Sequence, residues 1–596
     1  MVEKYLDLDI DLSRDGLFDQ LGIKRLQESY MKEDETSPQQ RFAFVSKQFG
    51  TSRDHAQRLY DYSSKHWLSY STPILSFGRS ARGLPISCFL PYLHDSSAGL
   101  VDTLSEVNWL SMLGGGVGLG IGIRSSDDKS VGVLPHLRTY DASSLAYRQG
   151  RTRRGSYAAY LDISHPDIAI FLDMRKPTGD PNMRAMNLHH GINIPDAFME
   201  IIERCMKDPD ADDSWELKDP HNGEVREVVS AKLLWQQILD LRMHTGEPYL
   251  HFIDTSNRMM PQFQKDLGLS IKQSNLCSEI ILPTNKDRTA VCCLSSVNLE
   301  YYDAWKNQPL FLRDIAEMLD NVLQYFIDNA PDSISRARFS AERERSIGVG
   351  ALGFHGYLQQ HNTPFEGAIA KSINNEIFNH IRDELDAANY VLGGIRGEAP
   401  DAIGTGKRFS HTMAIAPNAS SSIIMGNTSP SIEPFRANAY RQDTLSGSFL
   451  NKNKHLERVL RNKMLTDDEI QEIWSSIMAN DGSVQHLECF DEWEKEVFKT
   501  SMEIDQRWII EHAADRQKFI DQAQSLNVFF RPDSNVKYIH AIHFLAWKLG
   551  LKTMYYCRSE KLAKADKVSK KIERIVMQEI DLKSIADGDV CLACEG

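Results

Sequence analysis

Short apolar runs alternating with helix-length amphipathic runs constrain this chain more than any other feature of its sequence. Residues 84–90, 118–124, 157–163 and 191–194 read as strands bounded by Gly, Pro or charged clusters. Between them, residues 96–113, 166–174 and 195–207 read as helices, and strand candidates continue at 347–353, 412–416 and 552–557. A strand that returns through a helix pairs in parallel, so the expected class is α/β with a parallel sheet. Residues 1–70 differ, reading as mostly helical and charged, for example over 38–65.

The glycines at 114, 115, 116, 118, 120 and 122 invite a dinucleotide-fold reading. In no register do they give G-x-G-x-x-G opening a helix, and they lead into a strand candidate, the wrong order for that fingerprint. They read instead as backbone that a ligand or a neighbouring segment must approach closely.

At 596 residues the chain exceeds one ordinary core, and a large domain with appended helical segments is expected. A net charge of −14 argues against general binding to nucleic acid or acidic membranes, while local basic clusters leave nucleotides open as ligands. The first residues lack the basic and apolar regions of a signal peptide, and no apolar run is long enough for a membrane span, so a cytoplasmic protein is expected. Nine cysteines, an odd number, argue against a disulfide framework. Cys205 and Cys489, in helical-looking stretches, read as small buried hydrophobes.

Three cysteine-bearing segments carry candidate chemistry. Cys88 lies in a strand candidate. Around Cys277 an amide, a thiol and a carboxyl alternate as Asn275, Cys277 and Glu279, and on an extended loop these would share one face. Cys292 and Cys293 are adjacent, so on a strand only one of them can face the same pocket. A CxxC, Cys591 and Cys594, stands in the final acidic, Gly-containing stretch after a Lys- and Ala-rich segment, where a mobile end is expected. Its rival reading is half a zinc site, but no second CxxC or His-rich partner accompanies it, and no metal site is expected.

Together, in this order along residues 70–596, these segments resemble the large catalytic subunit of class I ribonucleotide reductase. Residues 275–279 resemble its radical-cysteine finger loop, and Tyr555 with Tyr556 its radical-transfer pair. Residues 417–421, followed by Ser431, Ile432, Glu433 and Pro434, resemble its substrate-phosphate loop and sequel. The resemblance implies a ten-stranded α/β barrel with a central finger loop, preceded by an N-terminal helical segment. The domains would be helical residues 1–70, a barrel over 71–557 and a flexible redox tail over 558–596.

The resemblance also implies the roles. Cys277 would become a thiyl radical and take the ribose 3′ hydrogen, Glu279 would take the 3′-hydroxyl proton, and Asn275 would hold the sugar. Cys88 and Cys292 would supply two electrons and end as a disulfide; Cys292 rather than Cys293 matches the family position. Cys293 would pack behind the strand, and Cys557 would be inert. Cys591 and Cys594 would re-reduce the pair by thiol–disulfide exchange, recharged by thioredoxin or glutaredoxin. Thr72, Ser87 and Gly115 would touch substrate. Asn418, Ala419, Ser420 and Ser421 would hold its phosphates, where Pro417 fits the first turn of a helix whose N–H groups suit an anion.

No tightly bound cofactor is implied: a metal-containing small subunit would supply the radical to a homodimer acting on ribonucleoside diphosphates. An ATP or dNTP specificity effector would meet Asp95, Ser96, Ser97 and Arg124, with Arg184 in the loop that relays its signal. Two departures from the family stand out. The first effector loop is short and carries Asp127 and Asp128, unfavourable beside a triphosphate unless they point away. Only about 70 residues precede Thr72, so no N-terminal ATP-binding domain, and no dATP inhibition through one, is expected. Two alternatives are a cobalamin-dependent reductase, which the tyrosine pair disfavours, and an inactive nucleotide-binding regulator, which the full set of redox residues disfavours. A glycyl-radical relative would need a motif that the C-terminal region lacks, and a thioredoxin-like fold would place CxxC at a helix start.

Overall fold

The computed structural model describes residues 2–79, 83–147, 155–444 and 447–559. Its centre is a ten-stranded mixed sheet. One half is parallel throughout: Cys88–Leu90 beside Gly116–Gly122, then Tyr157–Asp162, Leu188–Ile194 and Tyr249–Phe252. Tyr92–His94 continues the first of these strands beyond Pro91, which interrupts it. The other half begins with Ala290–Asn298 parallel to Ile347–Leu352. Met413 then bridges Val349 in parallel, Ile415 bridges Gln524, and Val528–Phe530 runs parallel to Cys557–Ser559. The halves meet antiparallel at two seams, Ala290–Cys292 against Cys88–Leu90 and Thr553–Met554 against Leu250 and His251. Backbone bonds from Ile415 N to Ala523 O and from Tyr555 N to Leu526 O complete the ring. The fold is therefore the expected α/β barrel.

Several expected elements shift. Residues 84–87 are not strand; Pro85 lacks the N–H a ladder needs, and pairing starts only at Cys88. Residues 412–416 join the barrel through isolated bridges rather than a regular strand. The N-terminal segment opens with a hairpin, Val2–Tyr5 against Leu8–Asp11, before its helices. The stretch 38–65 is two helices, Pro38–Phe49 and Arg53–Ser64. Ser37 caps the first with a reciprocal Gln40 bond, Gly50 ends it and Ser52 caps the second. Cys205 is buried in the helix Asp196–Lys207, but Cys489 is exposed and outside any helix, contrary to its reading as a buried residue.

The strand Ala290–Asn298 is buried along its whole length because helices cover one face and the finger loop fills the other. On its outer face the Cys293 thiol lies 3.8 Å from the Leu319 carbonyl of helix Phe311–Asn329, packed behind the strand as expected. The glycine-rich strand runs past the finger loop. A Cβ at Gly118 would stand 2.5 Å from Cα of Asn275, and one at Gly120 would stand 2.5 Å from Oε1 of Gln273. That is the close backbone approach the glycines predicted. A separate module, with hairpin Ala439–Thr444/Gly447–Lys452 and helices Lys454–Asn462, Asp467–Ala479 and Glu492–Val497, builds its own apolar cluster around Leu456, Trp474 and Ile477.

Candidate active site

Residues 273–281 enter the barrel interior, and Asn275, Leu276, Cys277, Ser278 and Glu279 have no exposed surface. The loop is not extended. Asn275 Oδ1 accepts the N–H groups of Glu279 and Ile280 at 2.9 and 3.0 Å, and Ser278 takes φ +67°, so the alternating residues meet across a side-chain-closed turn. The wall fixes that turn. The Tyr160 hydroxyl donates to the Asn275 carbonyl at 2.7 Å, and the Ser525 hydroxyl donates to the Cys277 carbonyl at 2.5 Å. Ser525 Oγ also lies 3.2 Å from Glu279 Oε2.

Cys88 and Cys292 are exact register partners across the antiparallel seam. Directly opposed residues have Cα atoms roughly 4.5–5.5 Å apart, inside the span a disulfide bridges. Asn275 Nδ2 donates to Cys88 Sγ at 3.2 Å, and Cys88 Sγ lies 3.8 Å from Glu279 Oε1. Cys292 Sγ accepts from Gln522 Nε2 at 3.2 Å. Burial raises the Cys292 thiol far above its ordinary range, against the opposing pull of Gln522, so at neutral pH it carries its proton. A protonated Cys292 can deliver a proton together with electrons.

Tyr555 donates its hydroxyl to Cys277 Sγ at 3.5 Å. Its ring centroid is 4.3 Å from that of Tyr556, and Tyr249 packs against both, at 4.7 and 5.1 Å. The Arg558 guanidinium stands 4.1 Å over the Tyr556 ring, while His189 Nδ1 lies 3.4 Å from the Tyr556 hydroxyl. Cys277, Cys88, Cys292, Tyr555 and Tyr556 thus share one buried interior cluster. Cys557 faces away toward Met243, its thiol pushed up to about 11 by burial. Sequence reasoning missed Tyr249, Tyr160, Gln522, Ser525 and His189. The cluster of polar Gln522, Gln524, Ser525 and Asn527 just before an apolar run was the available signal for two of them.

Around the expected substrate site, Ser71 and Ser87 have buried hydroxyls without a hydrogen-bond partner among the described residues. Thr72 opens a short helix, with Tyr30 Oη 3.3 Å from its Oγ1. Gly115 lies against the Phe89 ring and closes the turn into the glycine strand through its N–H to Leu110 O. Asn418 takes φ +55° before the helix Ala419–Ile424, which carries Ser420 and Ser421. Its side-chain amide donates to the Ala351 and Ala416 carbonyls and its Oδ1 accepts from Ser296, so the side chain positions the loop.

Two of the expected effector residues meet: Arg124 Nε is 2.8 Å from Asp95 Oδ2. Ser96 caps the helix that Ser97 begins. Asp127 accepts the Lys129 N–H at 2.7 Å, turning that acid into its own loop and toward Arg124. Arg184 folds back on the Thr178 carbonyl at 2.9 Å. Cys591 and Cys594 lie outside the described residues.

One thiol at the tip of an internal loop, two facing thiols on the barrel wall and two closely packed tyrosines beside them make up a buried site whose groups can carry thiol redox chemistry. Two family models match the chain: "Ribonucleotide reductase, all-alpha domain" over residues 16–83 and "Ribonucleotide reductase, barrel domain" over 86–401 and 398–557. The ribonucleoside-diphosphate reductase large subunit of Invertebrate iridescent virus 3 is 55% identical, over 94% of this chain and 97% of that protein. The Caenorhabditis elegans large subunit is 32% identical, over 99% and 83%. Among solved structures, the Actinobacillus ureae class Id ribonucleotide reductase alpha subunit matches with a TM-score of 0.80 and 35% identity, over 91% of this chain and 98% of that one. The chain belongs to the ribonucleotide reductase large-subunit family and is an enzyme subunit of that kind. Among the described residues no helix is long and apolar enough to cross a membrane.

Proposed function

We propose that this chain reduces ribonucleoside diphosphates to 2′-deoxyribonucleoside diphosphates. The observation that carries the reading is the contact of Tyr555 with Cys277 beside the facing Cys88 and Cys292. A radical generated in a separate metal-containing small subunit reaches Tyr556, then Tyr555, and oxidises Cys277 to a thiyl. The thiyl takes the ribose 3′ hydrogen, forming S–H as C–H breaks, and Glu279 takes the 3′-hydroxyl proton. The 2′-hydroxyl leaves as water with a proton from the Cys88/Cys292 dithiol. The dithiol gives two electrons and its second proton, which form the new C2′–H bond, and closes to a disulfide; Glu279 returns the 3′-hydroxyl proton, and Cys277 returns the 3′ hydrogen, regenerating the thiyl. Asn275 serves the same site through an amide that spans Cys88 and the loop backbone.

Ser87, Thr72, Gly115 and the 418–421 turn would hold substrate, with Asp95, Ser96, Ser97, Arg124 and Arg184 forming an effector site at a homodimer interface. Cys591 and Cys594 would reopen the disulfide and be recharged by thioredoxin or glutaredoxin. The cytoplasm, where thiols are kept reduced, suits this chemistry. The test is CDP reduction with dithiothreitol and a cognate small subunit. Wild type should turn over and Cys277→Ser should not. Turnover with adenosylcobalamin and no small subunit would move the chain to the cobalamin-dependent class.

A further inference from the structure

The helix Gln20–Ser29 of the all-helical segment lies directly on the 417–424 turn and helix. Its Gly22 leaves just enough room: a Cβ there would stand 3.2 Å from the Ile423 carbonyl oxygen and 3.8 Å from the Ile424 Cα. This close seating carries two polar side chains to residues of the candidate substrate site. Tyr30, just past the helix end, reaches Thr72. Arg25, mid-helix, donates from Nη2 to Ser420 Oγ at 3.1 Å. Arg25 Nε is buried and has no hydrogen-bond partner among the described residues. A buried guanidinium N–H left unpaired is costly, so a site of this kind suits an acceptor that arrives from outside the chain. The guanidinium fork matches two phosphate oxygens at once, and Ser420, accepting from Arg25, keeps its own O–H to donate to the same anion.

We propose that Arg25 is a phosphate ligand for the nucleotide substrate, closing on the diphosphate from the all-helical segment while the 418–421 turn holds it from the barrel. This rests on the reading of that turn as the phosphate loop. It makes the all-helical segment part of the substrate site and gives the diphosphate a cationic partner that the backbone amides and hydroxyls lack.

Equilibrium binding of CDP to the full chain tests it, with cytidine as the phosphate-free comparator and Arg25→Ala, Arg25→Lys and Ser421→Ala as variants. Loss of a charge-assisted, bidentate contact should weaken CDP binding about tenfold or more in Arg25→Ala. Arg25→Lys should recover part of that loss, cytidine binding should not change, and the wild-type advantage should shrink with added salt. Steady-state assays with the small subunit should show the change in KM, with kcat retained. Unchanged CDP binding in Arg25→Ala would overturn the proposal, and so would equal losses for CDP and cytidine, which mark a structural role. If Ser421→Ala alone weakens CDP, the phosphate-loop reading stands and Arg25 is excluded; if neither variant weakens it, that reading fails with it.

Discussion

Cys88 and Cys292 stand directly opposite one another where the two halves of the barrel meet antiparallel. Neither strand need move for the two sulfurs to join, because opposed Cα atoms in such a pair already sit at disulfide range. The next residue, Cys293, points out of the barrel to helix Phe311–Asn329. Cys293→Ala should therefore keep full turnover and cost about 1 kcal/mol of stability as a small packing loss. Cys292→Ala should end multiple turnovers. Loss of turnover in Cys293→Ala would assign the reducing thiol to the wrong residue.

Tyr555 touches Cys277, and Tyr556 packs against Tyr555 with its ring tilted. Phenylalanine at either position preserves the packing and removes the O–H through which the radical passes. Tyr555→Phe and Tyr556→Phe should each reduce turnover to background while CDP binding and melting temperature stay at wild-type values. Normal turnover in either would break the proposed route.

Gly118 has no room for a Cβ because the finger loop passes over it. Gly118→Ala should cost about 1–3 kcal/mol by overpacking and should displace Asn275 and Cys277, so activity falls more than stability. Gly16, where a Cβ would meet nothing and the backbone is not left-handed, serves as the control for activity. A fully active Gly118→Ala would show that the loop has slack.

Glu300, just after the strand Ala290–Asn298, binds Lys454 and His455 of the inserted module, with His455 Nε2 at 2.7 Å. Burial alone would raise its carboxyl, but those partners outweigh burial and hold it at about 2, below the ordinary 4.5. A depressed carboxyl contributes stability that is fully present above about 4.5 and is lost as pH falls toward 2. Thermal melts should show wild type exceeding Glu300→Gln near neutrality, with the gap closing through that acid window. A gap that widens with acid would contradict the pairing.

The barrel was legible in outline because strand and helix periods alternate, and the glycine strand was legible because no other residue permits such close approach. The active-site thiols and tyrosines could be named from the motif order. The reason they meet could not: Asn275 closes its turn through its own side chain, which looks the same in sequence as an extended loop. Gln522, Ser525 and Tyr160 hold the site from distant segments; the polar cluster at 522–527 hints at the first two, and nothing local marks Tyr160 as a wall residue. The same holds for Arg25, whose contact with Ser420 spans 395 positions. The expected strand at 412–416 joins the ring only through single bridges, Met413 to Val349 and Ile415 to Gln524, a tertiary outcome that its own residues do not show.

The most direct measurement is a single turnover of fully reduced Cys591→Ser/Cys594→Ser protein, with the small subunit and CDP but no added reductant, followed by disulfide mapping. The account predicts about one dCDP per active chain and one new disulfide, Cys88 to Cys292, since one dithiol supplies one electron pair. Product without that disulfide, or a bridge to Cys293 or Cys277 in its place, would contradict it.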